Sequence, residues 1–117
     1  MKKYKIGVIV GSLRKESYNL KTAKTLMGIA PESLSFEMIE IADLPMFNED
    51  LEENPPKEWV SFKKQVEAKD GVLFLTPEYN RSVPAVLKNA IDVASRPYGH
   101  NSWDGKPAGI VSVSIGA

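Results

Sequence analysis

The chain has 117 residues, 43% hydrophobic and 26% charged, which suits one ordinary globular domain over residues 1–117. Fifteen basic and fifteen acidic side chains cancel, so no basic surplus points to nucleic acid or an anionic membrane; the lack of cysteine excludes disulfides, thiolate metal sites and cysteine nucleophiles. No apolar run approaches the roughly 18 residues of a membrane span, and the short apolar stretch after the basic N-terminus has no secretory pattern, which sets the expectation of a cytoplasmic protein.

Residues 5–10 read as a buried strand through Ile6, Val8, Ile9 and Val10. Residues 19–30 read as a helix with Leu20, Ala23, Met27 and Ile29 or Ala30 along one stripe, closed by Pro31. Residues 35–41 form a second strand, rich in Phe36, Met38, Ile39 and Ile41. A long loop with three prolines follows over residues 43–56. Residues 57–68 are helical, with Trp59, Phe62 and Val66 at spacings of three and four that mark a core stripe. Residues 71–76 are continuously apolar, as a parallel strand covered on both faces requires. A third helix starts at Ser82 with Pro84 in its first turn, and Ala85, Val86, Leu87, Ala90, Ile91 and Ala94 are read as inward. Residues 107–113 make a fourth strand.

Strictly alternating strands and helices call for an α/β fold, a doubly wound parallel sheet with right-handed crossovers. Ligands of such sheets sit beyond the carboxyl ends of the strands, at the switch point. Two polar loops follow strands here. Residues 11–19 run Gly-Ser-Leu-Arg-Lys-Glu-Ser-Tyr-Asn between the first strand and the first helix. A helix start offers unpaired N–H groups and a positive dipole end, and this loop adds hydroxyls, an amide and Arg14, so a phosphate monoester is the natural guest. It has neither the Gly-Lys-Ser/Thr of a nucleoside-triphosphate loop nor the Gly-x-Gly-x-x-Gly of a dinucleotide fold. The second loop, Thr76-Pro77-Glu78-Tyr79-Asn80-Arg81-Ser82-Val83-Pro84, is stiffened by two prolines and offers Tyr79 as an aromatic face. In a sheet of order 2-1-3-4-5 the first and third strands are neighbours, so both loops face one ligand.

Those two stretches, together with Leu87-Lys88-Asn89-Ala90-Ile91-Asp92 and Gly105-Lys106-Pro107, resemble the NAD(P)H-dependent FMN reductases of flavodoxin-like fold, a group that includes quinone, chromate and azo-dye reductases. The resemblance implies that Ser12, Arg14, Ser17, Tyr18 and Asn19 hold the FMN phosphate. It places Pro77, Glu78, Tyr79 and Asn80 along the isoalloxazine, and Ser114 near the flavin. It implies ping-pong hydride transfer from NAD(P)H through flavin N5 to small electron acceptors such as quinones, flavins, azo dyes or metal oxyanions. No side chain is then needed as acid, base or nucleophile, and no metal site is expected. It also implies a homodimer or homotetramer. A flavin-binding or electron-transfer module without reductase activity is the alternative.

Sheets of this order normally continue with a helix, a fifth strand and a final helix, so the chain is expected to be truncated at its C-terminus. Its fourth strand is then an exposed apolar edge, covered by another copy of the chain or else a source of instability. His100 is read as solvated or structural rather than as a ligand. Trp103 is read as loop packing, with cover for a neighbouring flavin as the alternative. Glu49, Asp50, Glu52 and Glu53 read as a solvated acidic loop, alternatively a dimer rim. Arg81 reads as solvated, or as a partner for the NADPH 2′-phosphate or for a carboxylate of another subunit.

Overall fold

The computed structural model describes residues 3–11, 18–77, 85–96 and 101–113. Its strands are β1 (Tyr4–Val10), β2 (Leu34–Met38), β3 (Gly71–Pro77) and β4 (Ala108–Val113), alternating with helices α1 (Tyr18–Ile29), α2 (Lys57–Glu67) and α3 (Ala85–Ser95). The strands form one sheet of order β2-β1-β3-β4, and every pairing is parallel. None of the helices is long and apolar enough to cross a membrane.

Period-two alternation sends neighbouring residues to opposite faces. Val8 and Leu75 face Ala23, Leu26 and Met27 of α1. Ile9 and Val72 face Trp59, Phe62 and Val66 of α2 and Leu87, Ala90, Val93 and Ala94 of α3. The carboxyl-terminal parts of β1 and β3 are thus covered on both faces, which is why residues 8–10 and 72–75 are apolar without interruption.

Some expectations shift in register. β2 ends at Met38, although Ile39 N–H still donates to Val8 O at 2.8 Å, and Ile39 and Ile41 are buried on the α2–α3 side. The loop after β2 contains a 3-10 turn at Glu49–Leu51, capped by Asn48, whose side chain accepts from Asp50 N–H at 2.9 Å. In α1 the stripe runs through Ala23, Leu26 and Met27, while Ile29 at the helix end is exposed. In α3 Leu87, Ala90 and Ala94 are buried as expected, but Ala85 and Ile91 are exposed and Asn89 and Val93 take inward places. The buried stripe follows 87, 90, 93 and 94; position 91 lies about 100° round the helix from 90 and so leaves it.

β4 is an edge of the sheet, and Ile110 on it is 73% exposed. On the α1 side, an open trough of about 490 Å³ runs over Ile6, Phe36, Leu73 and Gly109. At the other side of the sheet Lys69 is only 6% exposed; its ammonium meets Glu37 at 3.3 Å. Gly7 lets this side chain pass. A Cβ there would stand 2.6 Å from Ile39 Cδ1 and 3.2 Å from Lys69 Cγ. Gly7→Ala is therefore expected to cost about 1–3 kcal/mol by overpacking, read as a lower urea midpoint with an unchanged slope.

Candidate functional site

The carboxyl ends of the strands bring together the parts that the two polar motifs flank. β1 pairs with β3 up to Val10 opposite Leu75, and the ladder continues as Gly11 N–H donates to Leu75 O at 2.7 Å. A Cβ on Gly11 would lie 3.3 Å from Leu87 Cδ2 and 3.5 Å from Leu75 O, so the chain leaves β1 tight against β3 and α3. β4 runs beside β3 to its end, Thr76 opposite Ser112 and Pro77 opposite Val113. The chain enters α1 at Tyr18 and α3 at Ala85. Neither helix carries an acidic residue in its first turn, whereas α2 carries Glu58 there. Among the described residues, the first turns of α1 and α3 lack a carboxylate, which suits an anion.

A second structure borders this edge. After β2 the chain crosses to α3 and is fastened by Asn89. Its Oδ1 accepts from Phe47 N–H at 2.7 Å, and its Nδ2 donates to Leu44 O at 3.3 Å and Pro45 O at 3.1 Å. Trp59 Nε1 donates to Pro45 O at 2.8 Å, and the Phe47 ring stacks on Trp59 at 5.7 Å. Arg96, at the end of α3, lies 5.6 Å above the Phe47 ring. Its guanidinium reaches Glu49 at 2.9 Å and Glu52 at 2.7 Å, while Lys63 Nζ donates to its carbonyl at 2.5 Å. Glu49, Asp50 and Glu53 are exposed, as the solvated reading expects, while Glu52 is half-buried and both Glu49 and Glu52 are tied to Arg96. Trp103 packs in its loop as read: its ring lies 6.1 Å from Phe62 and 5.6 Å from Phe74, and its Nε1 donates to Ile91 O at 3.1 Å.

Residues 4–117 match the sequence profile of the NADPH-dependent FMN reductases. The chain belongs to this family. It is 59% identical over 115 residues to a quinone reductase of Pseudomonas putida, an alignment covering 97% of this chain and 62% of that protein. It is 48% identical over 113 residues to a 2-hydroxy-1,4-benzoquinone reductase of a Burkholderia species, with 97% and 62% covered. The flavoenzyme NAD(P)H:(acceptor) oxidoreductase FerB of Paracoccus denitrificans superposes with a TM-score of 0.90 at 49% identity, over 95% of this chain and 61% of that one. The chain thus spans about three fifths of the length of these relatives.

Within this FMN reductase fold the motif residues fall as follows. Tyr18 and Asn19 open α1, and Pro77 closes β3. Ser12, Arg14, Ser17, Glu78, Tyr79, Asn80 and Ser114 lie outside the described residues, as do Arg81 and His100. Among the described residues no group of three His, Asp or Glu side chains is placed to hold a metal ion. Asn89 and Arg96 are the residues that sequence reasoning missed; the groups their side chains bond in the 44–52 segment lie more than 40 positions away, beyond any local pattern.

Proposed function

We propose that this protein is an NAD(P)H-dependent, FMN-containing reductase of quinones. The observation that carries the proposal is the pairing of β1 with β3 through Gly11, which starts the two polar motifs from adjacent strands, ahead of two helices whose described first turns carry no carboxylate. The donor set suits the group: neutral hydroxyls, an amide, a guanidinium and helix N–H groups for a phosphate, then a proline-stiffened segment with an aromatic for a planar ring. When bound, FMN supplies two-electron transfer between NAD(P)H and the acceptor. Ser12, Arg14, Ser17, Tyr18 and Asn19 hold its phosphate. Pro77, Glu78, Tyr79 and Asn80 line its ring, with Ser114 alongside. The chain itself gives no proton and forms no bond; it anchors, orients and leaves one face open. Residues 1–117 act as one FMN-binding domain, and a cytoplasmic homodimer or homotetramer belongs to the same reading.

The test is a flavin fluorescence titration followed by steady-state kinetics with NADH or NADPH and a quinone. Retained flavin with parallel double-reciprocal lines is the expected result. Retained flavin without NAD(P)H oxidation would leave only an electron-transfer module, and no retained flavin would reject the reading for this chain.

A further inference from the structure

The two polar motifs meet at one point inside the fold. Gly11, from which the first motif departs, is buried and donates its N–H to Leu75 O at 2.7 Å. A Cβ placed on it would meet Leu87 Cδ2 at 3.3 Å, Leu87 Cβ at 3.5 Å and Leu75 O at 3.5 Å. Leu87 is the third residue of α3, the helix that follows the second motif, and is 3% exposed. The root of the first motif therefore lies against the first turn of the helix into which the second one leads.

Neither neighbour has room to yield. Leu75 is wholly buried, and Leu87 packs in the core that Ile9, Phe62 and Val93 share. Gly11 has no left-handed φ, so glycine answers here to space rather than to backbone conformation. A methyl group at position 11 would press the chain leaving β1 away from α3.

Such a contact matters when one ligand is held by both loops. Two-point attachment is strong only if the spacing of the two points matches the ligand. The register of Val10 opposite Leu75 fixes the roots of the loops along the strands. Leu87 fixes the first root against the end of the second loop.

We propose that Gly11 and Leu87 are positioning residues for FMN, their contact setting the distance between the phosphate anchor and the ring edge. This rests on the reductase reading above.

Fluorescence titrations of FMN and riboflavin test it. Gly11→Ala is expected to raise the Kd for FMN about tenfold. Riboflavin has the ring without the phosphate and engages one loop alone, so its Kd should stay within about twofold. Leu87→Val withdraws the far methyl and loosens the contact from the other side, and by itself should raise the Kd for FMN about threefold. It also carries the test if Gly11→Ala does not fold. In the double variant the new methyl enters the vacated space. Its Kd should return to within about threefold of wild type, where independent effects would multiply to about thirtyfold. A merely structural role would weaken FMN and riboflavin alike and allow no such rescue. Unchanged FMN affinity in the single variants, equal losses for the two flavins, or multiplied losses in the double variant would overturn the positioning role and leave the reductase intact. Wild-type protein that binds no FMN would reject the reductase reading and the positioning role together.

Discussion

Replacing Arg14 and Ser17 together by alanine is expected to weaken FMN binding by about 2–4 kcal/mol, roughly 30- to 900-fold in Kd. On the proposed reading Arg14 would offer the phosphate a charge-assisted contact and Ser17 a neutral one, in the sequence that leads into α1. The loss is bounded because the backbone N–H groups of the α1 N-terminus remain in the double variant. Part of it is Coulombic, so the difference between wild type and variant should narrow as salt rises. Riboflavin supplies the control. It carries the same ring without the phosphate, and its weaker binding should be indifferent to the double substitution. Equal FMN affinity in both proteins, measured by fluorescence quenching, removes the phosphate role from this loop. Equal losses for FMN and riboflavin point instead to general damage at the site.

The sheet was legible because its signal is local and doubled. Val8 and Ile9 point to opposite faces yet are both apolar, and the run from Val72 to Leu75 repeats the feature. Only a strand covered on both sides asks for that. Trp59, Phe62 and Val66 were legible for the same reason, as a stripe at helical spacing. The nearness of the two polar loops followed from topology alone, and the Val10 to Leu75 register agrees with it. What sequence reading missed is long-range and polar. Asn89 lies among the aliphatic residues of α3 with nothing local to mark it as buried; it goes inward because carbonyls 44 and 45 positions away meet its amide. The acidic stretch 49–53 is largely solvated as read, but nothing local foretells that Arg96 is folded against Glu49 and Glu52. Ile91 looks inward by hydropathy, but the helix rotation set by Leu87, Ala90 and Val93 leaves it outside.

Phe62→Ala is the substitution expected to cost the fold most. Phe62 is among the largest fully buried side chains, and its ring meets the edge of Trp103, which in turn tilts against Phe74. Removing it leaves a void between α2, Trp103 and the sheet. Trp103 is not free to collapse inward without giving up its bond to Ile91 O. Transfer and cavity costs together give about 3–5 kcal/mol. That is a large part of the roughly 5–15 kcal/mol a domain of this size holds. Thermal unfolding followed by circular dichroism should show a fall of roughly 10–20 °C. Ile110→Thr, on the exposed edge, should stay within about 0.5 kcal/mol of wild type. The same experiment repeated with saturating FMN separates core from site. A ligand that binds only the native state adds stability set by its concentration and Kd, independent of how stable the apo fold is. Phe62→Ala should therefore gain about the same free energy from FMN as wild type does, from a lower starting point. Arg14→Ala with Ser17→Ala should start near the wild-type value and gain much less. The gain on adding FMN, rather than the melting temperature itself, tells a residue that holds the cofactor from one that holds the fold.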